Sequence, residues 1–113
     1  MSNSISITTV KDSKVDTLDF DTIALGRTFT DHMFVCDYED GQWHNPRITP
    51  MEVIPMHPAC MALHYGQALF EGMKATLGST GLPLLFRPEK NAERLNFSAR
   101  RLGMPEFPEK LFV

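Results

Sequence analysis

The chain has 113 residues, of which 42% are apolar and 22% charged, and a formal net charge of -3. That length suits one ordinary domain in which roughly two thirds of the unfolded surface can be covered. The weak negative charge gives no electrostatic footprint for nucleic acid or an anionic membrane, and there is no apolar run of about 18 residues to span a bilayer.

In chain order, residues 1–15 are rich in Ser, Thr, Asp and Lys and read as a partly ordered arm. TFTDHMFVCDY, from Thr28, is dense in aromatic and β-branched residues. EDGQW then supplies an Asp40-Gly41 turn before the Pro-bounded HNPRITP, the pattern of a hairpin. MEVIPM is a second short extended piece, cut by Pro55, that runs into a loop across HPA. HYGQALFEGMKA follows, from His64 to Ala75. Its alternation from Gly66 to Met73 reads as a strand, with Leu69, Glu71 and Met73 on one face and Ala68, Phe70 and Gly72 on the other. Phe70 between small neighbours is expected to stand in a shallow apolar recess.

TLGSTGLP is a turn into an apolar strand from Leu82 to Phe86. Pro88 then takes the first helical position, with Glu89 at the positive end of the macrodipole. Ala92, Leu95, Ala99 and Leu102 form one stripe of an amphipathic helix, which Gly103 caps and Pro105 stops. The closing PEKLFV reads as lacking an element of its own. Together these pieces predict a small α+β domain with an antiparallel sheet and a carboxy-terminal helix.

Cys36 and Cys60 lie in apolar surroundings without framework spacing, so both read as small core residues of a reducing compartment. His32, His44, His57 and His64 have spacings of 12, 13 and 7, none of which presents two ligands to one metal. The amino terminus lacks the basic and apolar regions of a secretory signal, and a cytoplasmic location is expected. Arg94, Phe97 and Arg101 form a second helical stripe bordering the buried face. There a guanidinium could grip a phosphate or carboxylate with its planar fork, or simply pair with Glu89 or Glu93 at the surface. Spacing leaves both readings open.

Four blocks, TFTDHM (Thr28–Met33), HPA (His57–Ala59), LHYGQALFEGMKA (Leu63–Ala75) and FRPEKNAERLNFSARRLGMP (Phe86–Pro105), stand in the order found in one enzyme family. In them the chain, from about Leu25 onward, resembles the branched-chain amino-acid aminotransferases, pyridoxal-phosphate enzymes of fold type IV. The resemblance implies that Arg94 binds the cofactor phosphate, and that Tyr65 and Phe70 line the apolar pocket for the substrate's side chain. Leu25 stands where many family members carry a third wall residue, a phenylalanine, so the pocket stays apolar but changes shape.

The resemblance also implies a homodimeric parent that exchanges an amino group between branched-chain amino acids and 2-oxo acids. It places the Schiff-base lysine and the acid facing the pyridinium nitrogen in a downstream large domain. None of Lys11, Lys14, Lys74, Lys90 and Lys110 inherits the lysine's role. Residues 16–113 then read as the amino-terminal small domain of a two-domain enzyme, with no catalytic residue in this chain and no transamination by it alone. The alternatives are a D-amino-acid aminotransferase or an aminodeoxychorismate lyase of the same superfamily, for which a more polar pocket is expected, and a non-catalytic interaction module.

Overall fold

A computed structural model describes residues 4–113. These divide into two compact units, one up to Pro55 and the other from Met56 to Val113. The architecture is the expected α+β one, with antiparallel pairings and one long helix near the carboxyl end.

In the first unit, β2 (His32–Glu39) and β3 (Gln42–Pro50) form the anticipated hairpin, Glu39 facing Gln42 and Tyr38 facing Trp43. Asp40 (φ 49°) and Gly41 (φ 78°) both take positive φ, the requirement of a type I′ turn, and Asp-Gly tolerates it. The ladder slips once, between Val35 and Asp37, leaving Asn45 and Pro46 opposite Cys36. Asn45 takes the strained positive φ of 51° at this bulge, where Pro46 needs no ladder donor.

Within the stretch expected to be an arm, β1 (Ser6–Ile7) pairs parallel to β3, giving the sheet order β1-β3-β2. Its continuation is pinned at the mouth of the hairpin. Val10 N–H donates to His32 Nε2 at 3.0 Å, and Ser13 Oγ donates to Asp31 Oδ2 at 2.6 Å. No described residue of this unit is fully buried, and Cys36, expected in a core, is only half-buried, its S–H directed at the His44 carbonyl.

In the second unit, α1 (Met61–Tyr65) is a single helical turn that the sequence reading did not foresee. β4 (Ala75–Leu77) and β5 (Pro83–Leu85) make the short antiparallel pair around TLGSTGLP. The long helix α2 (Pro88–Arg101) starts at the anticipated proline. At its end Met104 N–H reaches the Ala99 carbonyl and Gly103 N–H the Arg100 carbonyl, with Gly103 at φ 66°: the paired bonds of a Schellman cap. Among the described residues of the chain no helix is long and apolar enough to cross a membrane.

The buried face of α2 differs from the expected stripe. Ala92, Asn96 and Ala99 are buried, Leu95 is half-buried, and Leu102, at the cap where the helix ends, is exposed. Asn96 explains the shift. Its Nδ2 donates to the Phe107 carbonyl at 2.9 Å and its Oδ1 accepts from the Phe107 N–H at 2.8 Å. This two-bond clamp brings the chain back toward the helix. The tail is therefore not without an element, because Glu109–Phe112 forms a further short helix, α3, that packs on α2.

Asn96→Ala removes both bonds to the Phe107 peptide. The expected loss of stability is about 1–3 kcal/mol. Urea unfolding should show it, with Asn96→Asp intermediate because it keeps the acceptor alone.

Candidate active-site surface

The segment Gly66–Met73 shows why a sequence can alternate without joining a sheet. Gly66, at φ 63° and ψ 25°, ends α1 in the left-handed conformation and turns the chain onto α2. Gln67, Leu69 and Glu71 are then half-buried while Ala68, Phe70 and Gly72 are exposed, but Met73, expected on the face of Leu69 and Glu71, is exposed too, so the alternation ends at Gly72. No strand is assigned between Gly66 and Lys74, because the inward residues bind a helix through side chains instead of a neighbouring strand through backbone. Gln67 Nε2 donates to the Leu102 carbonyl at 2.9 Å, which occupies a carbonyl at the helix terminus. Asn91 Nδ2 donates to Glu71 Oε1 at 2.9 Å and to the Gly72 carbonyl at 3.0 Å. The segment thus runs antiparallel along α2, from the helix's last turn back toward its first.

Arg94 completes this seam. Its Nε donates to Glu71 Oε2 at 2.8 Å and its Nη2 to Glu71 Oε1, a bidentate pair on the side-on edge of the guanidinium. Glu71 is nearly covered, with its side chain 5% exposed, whereas that of Arg94 is 64% exposed. The two N–H donors of Arg94 and the amide of Asn91 hold the Glu71 carboxyl at a pKa of about 2, and the same pairing raises that of Arg94. The surface pairing left open by spacing does not form in the way considered, because Glu93 is taken by Lys90 (2.6 Å).

The other edge of the guanidinium, Nη1 and the outer hydrogen of Nη2, makes no bond that the structure records among the described residues. Arg94 borders an open concavity of about 220 Å³ lined also by Phe86, Arg87, Lys90 and Asn91. Three cationic side chains around one hollow, with a planar donor edge free, are chemistry suited to a phosphate.

The predicted wall residues are placed as follows. Tyr65, the last residue of α1, is 79% exposed, and Phe70, directly before Glu71, is 91% exposed. Phe70 projects from the surface and has no recess within its own unit. A Cβ on Gly72 would meet nothing within 4 Å, so the small neighbour does not mark a close approach there. Arg94 and Glu71 are brought together through the seam, and Phe70 is the residue before Glu71 on its outward face. Leu25 is fully exposed and belongs to the first unit. Among the described residues no group of three or more His, Cys, Asp or Glu side chains is arranged to hold a metal ion.

Glu71, Asn91 and Gln67 were assigned no role from the sequence. The available signal was a carboxylate on the inward face of an alternating segment, which cannot stay covered without a cationic partner.

No protein-family profile matches the chain. Curated relatives do. It is 48% identical over 94% of its length to branched-chain-amino-acid aminotransferase 2 of Bacillus subtilis (strain 168), of which it spans 29%. Identity is also 48% over 78% of the chain to the branched-chain-amino-acid aminotransferase of Mycolicibacterium smegmatis, of which it spans 24%. The mitochondrial enzyme of that name from Bos taurus matches at 48% over 75% of the chain, which spans 22% of it. With such identity extending across three quarters or more of its own length, the chain belongs to the branched-chain amino-acid aminotransferase family.

Proposed function

We propose that residues 16–113 form the amino-terminal small domain of a cytoplasmic, homodimeric, pyridoxal-phosphate-dependent aminotransferase. In it the amino group of leucine, isoleucine or valine passes to 2-oxoglutarate, yielding the branched 2-oxo acid and glutamate. The observation that carries this reading is Arg94, locked against the segment that displays Phe70 while it lines a hollow together with Arg87 and Lys90.

Arg94 would hold the cofactor phosphate, with Arg87 and Lys90 adding positive potential. When bound, the cofactor serves as the electron sink that loosens the bonds at the amino acid's α carbon. Tyr65 and Phe70 would supply apolar walls for a branched side chain, which offers no charge to grip and is recognised by shape and the exclusion of water. The lysine that bonds the cofactor and moves the proton lies outside these 113 residues in this reading, so the chain supplies binding and orientation and no proton transfer.

The test is an amino-donor profile of the full-length, cofactor-loaded protein with 2-oxoglutarate as acceptor. Turnover of leucine, isoleucine and valine is expected, with no amino transfer from D-alanine and, in a parallel assay, no release of pyruvate from aminodeoxychorismate. A preference for either of the latter, or inactivity toward all, overturns the reading. Reductive labelling of a lysine of the isolated chain by borohydride in the presence of cofactor would overturn the assignment of the lysine to another part of the protein.

A further inference from the structure

The geometry points to Glu71 as a positioning residue for the phosphate site, a carboxylate that fixes the Arg94 guanidinium by its side-on edge so that the end-on edge is presented ready-oriented to an anion. The inference rests on the cofactor reading above and adds to it a residue to which that reading gives no role.

The argument starts from the shape of the arginine fork. A guanidinium has two edges able to bind an oxyanion bidentately, Nε with Nη2 and Nη1 with Nη2. Glu71 occupies the first completely, since its two oxygens meet Nε and Nη2 separately. The bond to Nε is the informative one, because a carboxylate gripping only the tip of the side chain would consume the edge that a ligand needs. This one consumes the inner edge.

Glu71 is itself held. Asn91 donates to its Oε1 and, with the same nitrogen, to the Gly72 carbonyl, fixing both the carboxylate and the backbone that carries it. The orientation of an otherwise 64% exposed, many-torsioned arginine therefore derives from a nearly covered acid 23 residues earlier.

Two effects oppose each other when a phosphate arrives. The negative charge of Glu71 repels it, while the fixed geometry spares the cost of ordering Arg94 on binding. Around an exposed guanidinium water and salt screen the repulsion, but they do nothing to restore a lost orientation. Orientation therefore outweighs repulsion, and removing the carboxylate should weaken phosphate binding.

The experiment compares dissociation constants of pyridoxal 5'-phosphate and of pyridoxal, which lacks the phosphate, in the full-length protein and in Glu71→Gln, Arg94→Met and the double variant. Their ratio isolates the phosphate contribution, since a merely structural loss moves both constants together. Glu71→Gln keeps the length and an acceptor for Asn91. It should lower the preference for the phosphorylated form about two- to tenfold, the loss expected when one rotamer-rich side chain has to be ordered on binding. Added to Arg94→Met it should lower the preference no further.

Should Glu71→Gln not fold, Asn91→Ala, which loosens Glu71 without touching Arg94, is expected to cause a smaller loss in the same direction. An unchanged ratio in the variant measured overturns the inference, as does an increased one, which would mean that repulsion dominates. If Arg94→Met lowers the ratio and Glu71→Gln does not, the positioning role falls and the phosphate assignment stands. If Arg94→Met leaves the ratio unchanged, the phosphate reading falls and this inference with it.

Discussion

In the full-length enzyme, Arg94→Met is expected to weaken binding of pyridoxal 5'-phosphate by about ten- to a hundredfold, from the roughly 1.5–3 kcal/mol of a hydrogen bond to a charged group. Methionine preserves an unbranched stem of similar length along the helix but offers no donor. The same substitution leaves Glu71, 5% exposed, with the Asn91 amide but without the guanidinium. Thermal stability should consequently fall further than in Lys90→Met, which removes only an exposed i,i+3 pair worth about 0.3–0.5 kcal/mol.

Arg94→Lys separates charge from geometry. Lysine keeps the positive charge yet has a single nitrogen, so it cannot face a carboxylate and a phosphate on two planar edges at once. Its affinity for the cofactor should lie nearer to that of the methionine variant than to the unaltered protein. Fluorescence titration of the cofactor, beside a melting curve of each variant, checks both expectations. Lysine restoring full affinity would show that a point charge suffices and that the free guanidinium edge has no special role.

How much of this arrangement could be read from sequence depends on the range of the interactions concerned. The Asp40-Gly41 turn is a local matter of positive φ, and the local residues state it. The boundaries of α2 are legible for the same reason, since Pro88 and Gly103 act within one turn of the ends they define. Asn96 was not legible, because a polar residue on an inward face interrupts an apolar stripe and reveals its purpose only when Phe107, eleven residues later, folds back onto it. α3 depends on that same fold-back and has only the four residues EKLF to announce it.

Gly66–Met73 falls between these extremes. Its alternation correctly sorts Leu69 and Glu71 from Ala68, Phe70 and Gly72, and fails at Met73, which is exposed. Alternation reports only that two faces differ, however, and an extended segment can meet a helix as well as a strand. The site follows the same logic. Arg94 could be singled out by its place beside a buried face and by the company of the surrounding blocks, but its partner lies 23 residues away on another element. No periodicity spans such a separation. The exposure of Tyr65 and Phe70 follows from the resemblance, which turns both toward a downstream large domain, and not from their aromatic rings, which alone would argue for burial.

The coupling of Glu71 to Arg94 should also write itself into the acid stability of the protein. In the folded chain the carboxyl titrates at about 2 instead of 4.5, chiefly through the Arg94 hydrogen bonds and next through Asn91. A folded value below the unfolded one means that the unfolded state binds the proton more tightly. The contribution of Glu71 is therefore fully present above pH 4.5 and is lost progressively as the pH falls from there through about 2.

Asp31 and Asp37 are lowered too, by Ser13 and by Arg47 respectively, so the whole-protein profile sums several carboxylates. Subtracting the profile of Glu71→Gln from that of the unaltered chain isolates one of them. The difference in urea midpoint should be flat at and above neutrality and shrink across that acid window. Arg94→Met should return the Glu71 carboxyl toward its ordinary range, visible in the carboxyl carbon resonance, because the largest cause of the depression is gone. A Glu71 carboxyl titrating near 4.5 in the unaltered chain would mean that the bidentate pair does not persist in solution. The fork that ties the segment bearing Phe70 to the helix bearing Arg94 would then have to be sought in other residues.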